Sequence, residues 1–82
     1  MKEYRFIADP GHGWLVVPLA EVRASGAKIS PYSYINGDMA YLEEDCDAGA
    51  FIDTLPAGSF KINWEHIEDF DIRENPRYTC FF

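Results

Sequence analysis

The sequence predicts one α+β domain spanning residues 1–82, with a small antiparallel sheet of four to six strands and two short helices on one face. Three observations support this prediction. Several short β-prone runs are separated by glycine and proline, one Asn-Gly pair favours a tight hairpin, and two brief segments show helical spacing. The chain is 48% apolar and 16% aromatic, which is enough to form a folded core.

The first third of the chain predicts a hairpin followed by a helix. Tyr4 to Val17 contains two β-prone runs, and the PGHG segment between them demands turn geometry. A proline suits the first position of a helix, and a glycine suits the left-handed residue that ends one. The sequence therefore predicts a helix of about two turns from Pro18 to Ser25, capped by Gly26.

The middle of the chain predicts a second hairpin and a second helix. Asn36 and Gly37 favour the positive-φ turn of a tight hairpin, so we expect paired strands within Tyr32 to Glu43. A second helix is predicted near Asp47 to Leu55, with Asp45 or Asp47 as its N-cap.

The last third predicts further strands. The SFKINW segment alternates cleanly, a strand is expected at Phe70 to Arg73, and RYTCFF is read as a short strand or a tail held by its aromatic side chains. Most of the core should come from large apolar residues, namely Phe6, Trp14, Leu15, Val22, Tyr34, Tyr41, Phe51, Leu55, Phe60, Ile62 and Trp64.

Negative charge is concentrated in the second half of the chain. Residues 38–74 contain eleven acids and two bases, whereas residues 1–37 contain three acids and four bases. Such a half repels nucleic acids and membranes and attracts basic protein surfaces, although a charge run also serves solubility. We predict a partner-binding surface formed by Asp38, Glu43, Glu44, Asp45, Asp47, Asp53, Glu65, Glu68, Asp69 and Asp71.

No catalytic or metal-binding motif is present. His12, His66, Cys46 and Cys80 lack the spacings typical of zinc sites, and DCDAGA departs from a calcium-binding EF-hand loop. We therefore predict no enzyme activity, no cofactor and no metal, and pairing of the two cysteines stays open because it depends on geometry. No long apolar run or signal peptide is found, which favours a cytoplasmic protein.

The segment GHGWLVVPLAEV, followed by ISPYSYINGDMAYLEEDCDAGAFIDTL, resembles small phage and mobile-element proteins over Gly11 to Leu55. That likeness implies an origin and no chemistry. The size and acidity are also similar to those of phage-encoded anti-CRISPR proteins that mimic DNA, which implies inhibition of a host effector. CRISPR effectors bind duplex DNA with basic side chains, and a small acidic protein could occupy that DNA-binding site.

Two functions of different class follow. The first is an inhibitor in the host cytoplasm that mimics DNA and binds a basic DNA-binding protein, such as a subunit of a type I CRISPR effector complex. It would be a monomer or weak dimer, with no direct binding to nucleic acid or membrane. The second is a non-enzymatic adaptor or structural module of a mobile element that binds a protein through exposed aromatic side chains. Salt separates them, because only the first should weaken steeply as salt rises.

Overall fold

A computed structural model describes residues 2–9 and 11–67, which form a five-stranded sheet and two helices. The strand order across the sheet is β3-β4-β2-β1-β5. This arrangement confirms the predicted α+β class. In chain order the elements are β1 (Lys2–Ala8), β2 (Gly13–Pro18), α1 (Leu19–Ser25), β3 (Tyr34–Asn36), β4 (Met39–Glu43), α2 (Asp47–Ile52) and β5 (Phe60–His66).

The sheet is mixed, and in this it differs from the antiparallel sheet that was predicted. The pairs β1·β2, β2·β4 and β3·β4 are antiparallel, but β5 pairs parallel with β1, with Tyr4 opposite Ile62. The reason lies in the connection after β4. A hairpin reverses the chain, whereas the α2 segment carries it across the sheet so that β5 runs in the same direction as β4 and β1.

Both predicted helices are present, with small differences at their ends. Pro18 is the N-cap of α1 rather than its first residue, and Gly26 ends the helix with a φ of 75°, as predicted. The second helix ends at Ile52 instead of Leu55. The residues that follow Ile52 form tighter turns, and the Leu55 N–H donates to the Ile52 carbonyl at 2.9 Å. Leu55 precedes Pro56, and a residue before proline disfavours the helical backbone conformation.

The predicted second hairpin forms with a shorter incoming arm. Gly37 has a φ of 64° in the turn, as the Asn-Gly pair predicted. The first strand begins at Tyr34 rather than Tyr32, because residues 30–33 form a turn in which the Ser33 N–H donates to the Ser30 carbonyl at 3.3 Å.

Both helices pack on the same face of the sheet, as predicted. Val22 of α1 and Phe51 of α2 join the strand residues Tyr4, Leu15 and Leu42 in one buried cluster. The Phe51 ring meets the Tyr4 ring edge-on, with 5.6 Å between centroids. Burial of these large side chains on one face is the main source of stability.

The predicted core is mostly confirmed. Its buried members are Phe6, Trp14, Leu15, Val22, Tyr34 and Phe51, and its half-buried members are Tyr41, Leu55, Phe60 and Ile62. Trp14 and Tyr34 form a separate cluster with Tyr41, on the face away from the helices.

The prediction that Trp64 lies in the core is wrong, since its side chain is 73% exposed. Alternation along β5 places it beside Phe60 and Ile62, as expected, and its ring lies 4.5 Å from that of Phe6. However, β5 is an outer strand of the described sheet, so its side chains are covered from one side only. The predicted strand at Phe70 to Arg73 and the RYTCFF segment lie outside the described residues.

A hydrogen-bonded group ties β1 to α1. The Glu21 carboxylate accepts a hydrogen bond from the Tyr4 hydroxyl at 2.9 Å and from the Lys2 ammonium at 2.7 Å. Burial and the neighbouring Glu21 carboxylate together raise the pKa of Tyr4 from 10.0 to about 12. The uncharged phenol is therefore favoured in the folded state.

This pKa shift predicts a loss of stability at alkaline pH. A raised pKa stabilises the fold fully below pH 10.0, and that contribution disappears as the pH rises through about 12. We expect the free energy of unfolding to fall more steeply in this window for the wild type than for Tyr4→Phe, which has no group to ionise there. Urea titrations of both proteins at several pH values measure the difference, and parallel curves would contradict the assignment.

Candidate functional site

The acids of the predicted surface that the structure describes do not lie in one patch. Seven of its ten residues lie in the described part of the chain, whereas Glu68, Asp69 and Asp71 lie outside it. Asp38 lies in the turn before β4 and Glu44 directly follows β4. Six steps of extended chain separate them by about 20 Å, at roughly 3.3 Å per residue. These two acids thus lie at opposite ends of the sheet.

Asp47 is buried and is withdrawn from any partner-binding surface. Its side chain is 2% exposed, and it accepts hydrogen bonds from the Ser30 backbone N–H at 3.0 Å, the Ser30 hydroxyl at 2.7 Å and the Ser33 hydroxyl. The role predicted for it is therefore corrected. Asp47 holds the 30–33 turn against the first turn of α2.

Glu43 binds the backbone N–H groups before α2, a role that was predicted for Asp45 or Asp47. The N-cap of α2 is Cys46, and no side chain caps that helix directly. Instead, the Glu43 carboxylate accepts hydrogen bonds from the backbone N–H groups of Asp45 at 2.8 Å and Cys46 at 3.2 Å. The prediction of an aspartate cap is wrong, because the glutamate at the end of β4 reaches forward to order the turn that enters the helix.

Glu65 is neutralised by an ion pair. Its two carboxylate oxygens accept hydrogen bonds from the Arg5 guanidinium at 2.5 Å and 3.0 Å, across the neighbouring strands β5 and β1. The Arg5 hydrogen bond holds the pKa of Glu65 below its usual value. This acid contributes little net negative charge to the surface.

The described acids that remain exposed are Asp38, Glu44, Asp45 and Asp53, together with Glu3. Within residues 2–9 and 11–67, ion pairs involve the carboxylates of Glu21 and Glu65 and none of these five. Of these, Asp38, Glu44, Asp45 and Asp53 belong to the predicted surface and are available to a partner, whereas Glu3 was not predicted and accepts a hydrogen bond from the Asn63 side-chain amide at 3.1 Å.

Asp9 adds an acid that the sequence reasoning missed. Its carboxylate accepts hydrogen bonds from the backbone N–H groups of Gly11 at 2.8 Å and His12 at 2.6 Å, and these hydrogen bonds lower its pKa. Glu44 lies at the same end of the sheet, since its N–H donates to the Gly13 carbonyl at 3.2 Å. The signal available in the sequence was the DPGH segment, because aspartate commonly accepts such bonds in turns.

We name the group Asp9, Glu44 and Asp45 the acidic end. It lies where β2 begins and β4 ends. Two strand spacings, about 10 Å, separate Asp9 from Glu44 across the sheet. The Glu44 and Asp45 carboxylates are exposed and can accept hydrogen bonds from lysine or arginine side chains of a second protein.

An open groove of about 380 Å³ lies mainly on the face away from the helices. It is lined by residues that include Arg5, Val16, Met39 and Tyr41, and among the described residues no serine, cysteine or histidine lines it. Among the described residues, no group of three or more histidine, cysteine, aspartate or glutamate side chains is placed to hold a metal ion.

No helix within residues 2–9 and 11–67 has the length and apolar character needed to span a membrane. No protein-family model, curated protein or solved structure matches this chain.

Proposed function

We propose that this protein is a non-enzymatic inhibitor that places exposed carboxylates against a basic nucleic-acid-binding surface of another protein. A type I CRISPR effector complex is the target class we favour, because such complexes grip duplex DNA with basic side chains before base pairing reads the sequence. The protein would act in the host cytoplasm without binding nucleic acid or a membrane itself.

The observation that carries the proposal is the set of exposed carboxylates without an ion pair in the described residues. The chain has a net charge of −7, and Glu44 and Asp45 are adjacent and exposed at the acidic end. Concentrated like charge costs self-repulsion in the folded state, which favours a use for it. Since Asp38 lies about 20 Å from Glu44, the mimicry proposed is of separated phosphate groups rather than of an unbroken backbone.

A second candidate function is an adaptor that binds through aromatic side chains. Two large side chains favour it, because Tyr32 is 69% exposed and Trp64 is 73% exposed. Aromatic residues are enriched among the residues that carry most of the binding energy in protein interfaces. Binding of this kind would change little with salt.

Charge reversal at the acidic end tests the first function. The variant Glu44→Lys with Asp45→Lys should weaken binding to the target roughly 100-fold, because an attraction at a basic site becomes a repulsion. Glu43 is left unchanged, since its carboxylate orders the turn before α2. The measurement is competition with duplex DNA for purified type I CRISPR effector complexes, at low and high salt.

The matched control is Asp38→Lys with Asp53→Lys, which changes the net charge equally at two exposed residues away from the acidic end. We expect it to weaken binding less than the first variant does. Equal losses would show that the acidic end has no special role in binding, and unchanged competition by a folded Glu44 and Asp45 variant would remove the acidic end from the interface. Competition that does not respond to salt would favour the adaptor.

A further inference from the structure

The outer edge of β5 has a defined hydrogen-bonding pattern. The Lys2 N–H donates to the Ser59 carbonyl at 3.2 Å and the Ile67 N–H donates to the Ala8 carbonyl at 2.9 Å, at the two ends of the parallel ladder. In such a ladder, alternate residues direct both backbone groups to the neighbouring strand. The odd-numbered residues of β5 therefore direct their backbone N–H and C=O groups toward β1. The residues that direct their N–H and C=O groups outward are Phe60, Ile62, Trp64 and His66.

Within residues 2–9 and 11–67, this edge is long and has little protection. β5 has seven residues with no proline, and in the described part of the chain no strand pairs with its outer side. Proteins commonly protect such edges with proline, bulges or several charges. The one lysine of β5 is Lys61, so the edge is suited to pairing with another strand.

The side chains of β5 are complementary to a second copy of the same strand. Antiparallel pairing about Asn63 places Lys61 opposite Glu65 of the second copy, and Ile62 opposite Trp64. Lys61 and Glu65 lie on one face of the sheet, and Ile62 and Trp64 on the other, because side chains alternate along a strand. An aromatic beside a β-branched residue is a favourable cross-strand pair, and so are opposite charges, although the Glu65 carboxylate would be shared between Lys61 and the Arg5 of its own chain.

We propose that β5 is a self-association edge, through which two copies of this chain pair antiparallel about Asn63 and join their sheets into one. In this register each even-numbered residue of one copy lies opposite an even-numbered residue of the other. The outward backbone N–H and C=O groups of all four residues can therefore form hydrogen bonds with the second copy. Trp64, 73% exposed in one copy, would be covered by Ile62 of the second. This inference goes beyond the proposed inhibition and does not depend on it.

Charge gives the association an unusual salt dependence. Each copy carries a net charge of −7, so two copies repel at long range, whereas the edge itself presents one lysine and one glutamate. Salt screens long-range repulsion more than contacts made at short range. We therefore expect dimerisation to strengthen as salt rises from low to moderate concentration. Binding of the acidic end to a basic target should weaken over the same range.

Sedimentation equilibrium over a concentration series tests the proposal. We expect the wild type to form a dimer with a dissociation constant on the order of 10 μM, as a small interface allows. Lys61→Glu places two glutamates opposite each other at both ends of the pairing and should weaken the dimer at least about tenfold. Lys61 is exposed and makes no ion pair among the described residues, so this variant should fold normally.

A mixing experiment tests the register. Glu65→Lys should also be monomeric alone, because it places lysine opposite Lys61. It removes the ion pair with Arg5 as well, but that pair is exposed and contributes little to stability. An equimolar mixture of Lys61→Glu and Glu65→Lys restores both opposite-charge pairs and should dimerise. Lys28→Glu, at an exposed residue outside β5, makes the same charge change as Lys61→Glu and should leave the dimer intact.

Three results would overturn the proposal. The first is a wild type that stays monomeric at all concentrations and salt levels. The second is a dimer that resists Lys61→Glu, which would place the interface elsewhere. The third is a mixture that stays monomeric although both variants have the circular dichroism of the wild type, which would exclude this register.

Discussion

Replacing Asp47 with alanine is expected to destabilise the fold by about 3 kcal/mol, since removing a buried charged acceptor leaves its donors without partners. The Ser33 side chain is fully buried and donates to this carboxylate, as do the backbone N–H and hydroxyl of Ser30. The Ser33 hydroxyl also accepts a hydrogen bond from the Glu43 N–H at 3.0 Å. Loss of Asp47 therefore loosens the 30–33 turn, the end of β4 and the start of α2 together.

Urea denaturation monitored by circular dichroism measures this effect. The matched control is Asp45→Ala, which removes an exposed carboxylate two residues away and should change the free energy of unfolding by less than about 0.5 kcal/mol. Asp47→Asn retains one acceptor oxygen and should give an intermediate loss. Equal stabilities for the Asp47→Ala and Asp45→Ala variants would show that the buried hydrogen bonds contribute nothing to the fold.

Replacing Gly13 with alanine is expected to destabilise the protein by about 2 kcal/mol, as overpacking in a closely packed region does. An added Cβ would lie 2.6 Å from two carbon atoms of the Phe6 ring and 2.6 Å from a carboxylate oxygen of Glu44. The Glu44 carboxylate can move because it is the exposed end of a flexible side chain. The Phe6 ring is buried and packs against Trp64, so it cannot move away freely.

A double-mutant cycle separates this clash from other effects. Gly13→Ala should cost roughly 1 kcal/mol less in the Phe6→Leu background than in the wild type, because Phe6→Leu removes the ring that the new methyl group meets. Gly11→Ala is the control, since its added Cβ has no neighbour nearer than 3.8 Å, and we expect little change. An additive cycle would mean that the Phe6 ring does not limit the size of residue 13.

The sequence alone determined which elements form and approximately where they lie. The turn at Asn36 and Gly37 and the helix between Pro18 and Gly26 depend on the backbone preferences of residues that are close in the chain. The alternation of apolar and polar residues in β5 likewise predicts a strand from local sequence alone. The location of negative charge along the chain was also readable, because it requires only composition.

The tertiary structure alone decided how the acids are used. Asp47 is buried by serines that lie 14 and 17 residues away, and Glu65 is neutralised by Arg5, which lies 60 residues away. No local pattern distinguishes these acids from Glu44 and Asp45, which stay exposed. Which acids remain available to a partner therefore depends on contacts distant in sequence.

The direction of β5 and the exposure of Trp64 have the same origin. Alternation predicts that Phe60, Ile62 and Trp64 share a face, but neither the strand's neighbour nor its place at the edge is encoded by that pattern. Both are set when the segment after β4 crosses the sheet and β5 pairs with β1. A strand's local sequence specifies its two faces, while the packing of the whole chain decides which of them, and which edge, stays open to a partner.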